Sequence, residues 1–217
     1  PCCKQALTYK RTAAVRKPHA ERRQEIVAAT LALVAERGVA GTSIQAVADR
    51  VGIAQPTVFR HFADRESLFA AAIQDTGSAL FGEVEDALAA DAPADARLYR
   101  LLRVKLAFVG RNPGLPRLVF LDRPDLESAA VKQAMQAMMT GVIDTVAGVL
   151  RAGVAEGTFP PALDPDGAAR HIVALVQGTL VRWSILDDPA PGAATADALW
   201  PFIAGGLGLQ ADTEATP

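Results

Sequence analysis

The sequence predicts an all-α fold: an N-terminal three-helix unit followed by a larger helical domain. Three observations predict it. Half of the 217 residues are apolar but only 6% are aromatic, and alanine, leucine and valine supply most of the apolar share, which suits helix packed on helix better than sheet. Glycine and proline divide the chain into segments whose apolar residues recur at spacings of three and four. No alternating apolar–polar stretch of useful length lies between them. The length suffices for one large or two small domains with buried cores.

The first helix is expected to start at His19 or Ala20. Ile26, Ala29, Thr30, Leu33 and Val34 share a face, and Gly38 supplies the stop. Thr42 or Ser43 caps a short second helix, where the hydroxyl accepts from free N–H groups of the first turn. Its inward face is Ile44, Val47, Ala48 and Val51. Gly52 then gives a sharp turn of positive φ. A third helix opens between Ala54 and Pro56, where proline is tolerated because its missing N–H had no intrahelical partner. Val58 and Phe62 point inward, leaving Gln55, Thr57, Phe59, Arg60 and His61 outside. Asp64 caps a fourth helix with the stripe Leu68, Phe69, Ala72, Ile73 and Leu80, running toward Leu88. Two short helices joined by a glycine turn, the second presenting polar groups, form a helix-turn-helix layout.

Breakers from Pro93 to Pro191 divide the remainder into expected helices near 94–110, 115–121, 125–156, 165–186 and 194–208. The apolar stripe of 125–156 is too wide for one neighbour, so this helix packs on two sides. Pro201 kinks the last helix or forces it to start late.

Charge separates the two regions. The formal net charge is −2, but residues 1–65 carry a balance of +6 and residues 66–217 one of −8. A basic head on an acidic body is suited to a polyanionic partner at the head. Residues 1–18 read as a basic flexible tail, with Lys10, Arg11, Arg16 and Lys17 either solvated or within reach of phosphates. Residues 211–217 read as a second tail. Cys2 and Cys3 are adjacent and have no others to pair with, so no disulfide framework is expected and a cytoplasmic setting fits. No uninterrupted apolar run reaches spanning length, so no membrane partner is expected. Nucleophile elbow, phosphate loop and Cys/His metal spacing are all missing, so neither catalytic residues, a metal nor a cofactor is expected.

The run Gly41-Thr42-Ser43-Ile44-Gln45-Ala46-Val47-Ala48-Asp49-Arg50-Val51-Gly52-Ile53-Ala54-Gln55-Pro56-Thr57-Val58-Phe59-Arg60-His61-Phe62-Ala63-Asp64-Arg65-Glu66-Ser67-Leu68-Phe69 resembles the DNA-binding domain of the TetR (TetR/AcrR-type) family of transcriptional regulators. The resemblance covers about residues 20–75. It implies a homodimer binding double-stranded DNA at a palindromic operator, released by an unidentified small apolar or amphipathic effector. By position, Thr42 and Ser43 resemble phosphate-contacting hydroxyls and Gln45 a DNA-facing surface residue. Gln55, Pro56 and Thr57 open the recognition helix. Phe59 stands where the family prefers tyrosine, and His61 and Arg65 match backbone-contacting positions. Phe59 lacks the hydroxyl that would bond a phosphate, and Ala54 replaces a serine cap worth about 1 kcal/mol or less.

The residue chemistry agrees. Gln55 can pair with adenine N6/N7 or remain solvated, and Pro56 can lie against a thymine methyl. Arg60 is either a base reader or a phosphate clamp. His61 either meets the backbone or caps local structure, and Phe59 either faces out or packs into the core. The expected division is 19–63 for the helix-turn-helix domain, 64–90 for a connecting helix and 91–210 for a ligand-binding and dimerisation domain. Within the last, Phe108, Phe120, Met135, Met138, Met139 and Trp183 are expected either to line a pocket or to be ordinary core. Ala174, Gly178, Leu199, Trp200, Phe202 and Ile203 are expected at a two-fold four-helix interface.

Overall fold

The computed structural model describes residues 18–89, 91–121, 128–186 and 190–209. Among them every regular element is helical. Both expected tails, Cys2, Cys3 and the four basic tail residues lie outside the described residues, Pro18 excepted.

Helices α1 (His19–Arg37), α2 (Ile44–Val51) and α3 (Gln55–Phe59) form the head. Gly38 ends α1 at φ 74°, and Gly52 turns the chain in the left-handed region at φ 73°, ψ 35°. Ser43, not Thr42, caps α2: the Ala46 N–H donates to its Oγ at 3.1 Å. The head core is Ile26, Leu33, Val34, Val47, Ala48, Val58 and Phe62, all buried.

Helix α4 (Arg65–Leu88) starts with a reciprocal cap. The Ser67 N–H donates to Asp64 Oδ1 at 2.7 Å, and the Asp64 N–H donates to Ser67 Oγ at 3.1 Å. That backbone hydrogen bond holds the Asp64 carboxyl below its ordinary pKa. Leu68, Phe69, Ala72, Ile73 and Leu80 are buried, as the stripe requires. One end of α4 packs on α1 and its length packs on α5 (Ala94–Arg111) and α7 (Ala129–Glu156).

The expected single helix at 115–121 is two pieces, one short α-turn, α6 (Gly114–Pro116), and a wider π-turn, Arg117–Leu121. Proline at 116 removes a backbone donor, and the chain rewinds around the gap. Helix α7 starts at Ala129, later than the expected 125, with Ser128 capping it. By length and composition alone α7 is apolar enough to cross a membrane, although Lys132, Asp144 and Arg151 interrupt its apolar run. Its apolar stripe packs against α4, α5 and α8 (Pro165–Leu186), as a core helix does.

Helix α9 (Ala193–Gly206) lies on α5 and runs through Pro201 without stopping. Tyr99 on α5 donates its hydroxyl to Asp197 Oδ1 at 2.6 Å, and its ring meets Trp200 at 5.1 Å between centroids. These contacts correct part of the expected interface. Ile203 is 4% exposed and belongs to the core of its own chain. Leu199 and Trp200 are half-buried in the same packing, whereas Ala174, Gly178 and Phe202 are exposed. Ile185 and Leu186 are exposed as well, at 66% and 60%.

Candidate nucleic-acid interface and internal cavity

Helix α3 is anchored by one fully buried side chain, Val58, with Phe62 buried one turn later. The pair fixes the roll of the helix, so the remaining side chains turn outward. Pro56, Phe59 and Arg60 are exposed, and Gln55 and Thr57 are half-exposed. Ala54 gives no side-chain cap, Pro56 has no N–H, and the Thr57 N–H donates to the Ala54 carbonyl at 2.8 Å, so α3 presents side chains more than backbone donors. This combination of amide, hydroxyl and guanidinium can meet base edges and phosphates. Phe59 is 48% exposed, which sets aside core packing for that ring.

Around α3 the structure sorts the remaining sequence-predicted residues. Ser43 is exposed at the start of α2. Gln45 is exposed too, with its amide donating to Asp49 Oδ1 at 2.7 Å. Thr42 does not face outward: it is 1% exposed, and its hydroxyl donates to the Gly38 carbonyl at 2.8 Å. The threonine ties off the end of α1 instead of offering a hydroxyl to phosphate. Arg65 is likewise turned inward. Its Nε donates to the Thr42 carbonyl at 3.0 Å, a second donor meets the Val39 carbonyl, and the guanidinium lies 4.9 Å from the Phe69 ring centre. It is a strut between α4 and the α1–α2 loop.

His61 stacks on His19, ring centres 4.2 Å apart, and its Nδ1 is buried without a hydrogen-bond partner. Desolvation, then the nearby His19, Arg22, Arg23 and Arg60, push its pKa below the ordinary value. The imidazole is therefore neutral at pH 7 amid positive charge, a setting that an incoming phosphate would relieve. Arg22 and Arg23 did not stand out in the sequence because they lie before the helix-turn-helix run; the cluster forms only when α1 folds over α3.

A second feature lies in the body. A narrow cavity of about 40 Å³ sits between α4, α5, the α6 turn, α7 and α8. Phe120, Met138 and Met139 line it. Phe108, Met135 and Trp183 do not. Phe108 is buried on another side of α5 beneath the Arg111 guanidinium, and Met135 is half-buried one turn away along α7. Sequence reasoning missed the two polar residues of the cavity wall, Lys105 and Gln177. The signal was present: Lys105 falls among Leu101, Leu102, Leu106 and Val109 on the inward stripe of α5, where a charge has no periodic reason to be.

The cavity connects to the head. Leu115 and Pro116 of the α6 turn line it, and the adjoining Gly114 lies so close to α1 that an added Cβ would stand 2.1 Å from the Leu31 carbonyl oxygen. Arg117 continues the joint, donating to the Ala35 carbonyl at 2.9 Å. A larger open cleft of about 590 Å³ flanks it between α1 and the α6 turn.

Comparison with known proteins covers both regions. Residues 26–72 match the sequence model of "Bacterial regulatory proteins, tetR family", and residues 124–199 match that of "Tetracyclin repressor-like, C-terminal domain". The nucleoid occlusion factor SlmA of Aliivibrio fischeri is 27% identical over 170 residues, covering 77% of this chain and 85% of that protein. Among solved structures, the fatty acid degradation regulator FadR from Bacillus halodurans superposes with a TM-score of 0.78 at 17% identity, covering 88% of this chain and 98% of the other. FadR from Bacillus subtilis, solved in complex with stearoyl-CoA, gives 0.76 at 18% identity, covering 84% and 98%. These structures share the all-helical fold, and their proteins are regulators, not enzymes. With the helix-turn-helix head and the helical body each matched to the same family, the chain belongs to the TetR family of bacterial DNA-binding transcriptional regulators.

Proposed function

We propose that this protein is a ligand-responsive repressor that binds a palindromic operator as a cytoplasmic homodimer. The observation that carries the reading is the open polar side of α3, with Gln55, Thr57 and Arg60 on it and Val58 locking it from behind. Residues 19–63 then act as the DNA-binding domain, 64–90 as the connecting helix and 91–210 as the ligand-binding and dimerisation domain. Ser43, Gln45, Pro56, Phe59 and His61 flank the base-reading residues. Two-fold pairing through the exposed Ala174, Gly178 and Phe202 would give these side chains a partner surface.

The mechanism is a population shift. Two recognition helices must meet successive major grooves about 34–36 Å apart. An effector that prefers a different spacing lowers operator affinity by its differential affinity for the two states. The contiguous route from cavity wall through the α6 turn to α1, alongside α4, supports this coupling. The stearoyl-CoA complex of the Bacillus subtilis relative supports an effector with a long apolar part.

Selection of bound sites from random DNA at several salt concentrations tests the reading. A palindromic consensus and an affinity falling steeply with salt are expected. Gln55→Ala should relax a single base position in each half-site, at a cost of about 1–3 kcal/mol in operator affinity. Binding of every duplex alike by parent and variant would refute the assignment. Phe59→Tyr restores a phosphate-reaching hydroxyl and should tighten operator binding about fivefold, the worth of one hydrogen bond, read by fluorescence anisotropy.

The similarity to nucleoid occlusion factors favours a second reading, a DNA binder acting at many scattered sites without a metabolite. Scattered selected sites and indifference to every added amphiphile would favour it.

A further inference from the structure

Resting on the reading above, that the body holds an effector, we propose that the effector is an apolar molecule bearing one carboxylate, which pairs with Lys105 inside the α4–α8 cavity. Leu80, Phe120, Met138, Val142 and Leu180 make the wall apolar. Lys105 is one of the residues that line it. Lys105 is 9% exposed and has neither a hydrogen-bond nor an ion-pair partner among the described residues. Among the described residues no other charged side chain lines the cavity. An isolated buried charge is among the most costly arrangements a core can hold, and natural cores pair such groups. A carboxylate entering with its apolar chain supplies the missing partner and covers the apolar wall.

Gln177 completes the polar end. Its amide lies against the Met139 sulfur, a weak acceptor. Turned away from the sulfur, that amide would donate to the second carboxylate oxygen. Met138 and Met139 are unbranched and flexible, and their rotation would widen a cavity of about 40 Å³ for a chain. Burial pushes the Lys105 pKa down to about 8. Near that pH part of the population holds a neutral amine, and pairing with a carboxylate would draw a proton onto it.

The test is calorimetry of the full chain with straight-chain carboxylic acids of graded length, the alcohols and methyl esters of the same lengths, and the corresponding coenzyme A thioesters. Parent protein should bind the best acid at least tenfold tighter than its alcohol or ester. At pH 8.5 acid binding should take up a proton, seen as a heat that varies with the ionisation enthalpy of the buffer. Lys105→Met should abolish both the preference and the proton uptake, while Lys105→Arg should keep the preference without the uptake. An alcohol or thioester binding the parent as tightly as the acid, and releasing it from DNA, would overturn the carboxylate assignment and leave the effector reading standing. A preference for the acid that survives in Lys105→Met would overturn the role of Lys105. Failure of every amphiphile to bind the parent or to change its DNA affinity would overturn both.

Discussion

Gly114→Ala is expected to lower thermal stability by on the order of 5–10 °C, the usual consequence of overpacking a tight contact in a chain of this size. The added Cβ would stand 2.1 Å from the Leu31 carbonyl oxygen and 2.9 Å from its carbon. Both are backbone atoms, so no side-chain rotation relieves the clash; the α6 turn and α1 must move apart. That joint is where the cavity wall touches the DNA-binding head, so the variant should also lose much of any effector-induced release from operator. Gly110→Ala is the control. Its Cβ would meet the Pro191 carbonyl oxygen at the same 2.1 Å, within the body and away from α1. It should lower the melting temperature by a similar amount while leaving the effector response of the remaining folded protein intact. Equal effector responses in the two variants would show that α4 alone carries the coupling.

Lys105→Met is expected to stabilise the protein at pH 7 by about 3 kcal/mol, the free-energy equivalent of a pKa lowered from 10.5 to about 8. The sign follows from protonation. Below about pH 8 the lysine is charged in both folded and unfolded chains, and the folded state bears the full penalty of the buried ammonium. Between about pH 8 and 10.5 the folded chain sheds the proton while the unfolded chain keeps it. The parent therefore gains stability across that window relative to the variant, and the advantage of methionine shrinks. Urea unfolding of both proteins at pH 7 and pH 10 measures it. A parent more stable than Lys105→Met at pH 7 would show that the ammonium has a favourable partner in the fold.

Much of the head was legible in the sequence because its signals are local. A stop glycine, a serine cap, a turn glycine and an Asp64 cap each act within one turn of chain, and all four hold positions that local geometry alone explains. The outward side of α3 was also readable, since burying Val58 and Phe62 fixes everything between them. What failed needed tertiary information. Whether a hydroxyl at a helix entrance faces solvent or ties off the preceding helix depends on how the loop folds back, and so only Ser43 of the pair Thr42 and Ser43 caps α2 and stays exposed. Arg65 looked like a free cation because nothing nearby in sequence announces the two carbonyls it holds. In the body, periodicity placed the long helices but could not separate core from cavity: Met135, Met138 and Met139 share a sequence segment, yet only the latter two reach the void. Apolar matching also drew Ile203 toward an outer surface when its neighbours on α5 cover it.

The strut from Arg65 bears on how such heads could be exchanged between relatives. By gripping the carbonyls of Val39 and Thr42, it fastens the first turn of α4 to the hinge between α1 and α2. The DNA-reading unit is thereby bolted to its shaft. A graft cut at residue 63 would leave that bolt behind, whereas one cut a few residues beyond Phe69 would carry both halves of the fastening. Chimeras made at the later boundary should retain the orientation of the donor's reading helix on its own operator.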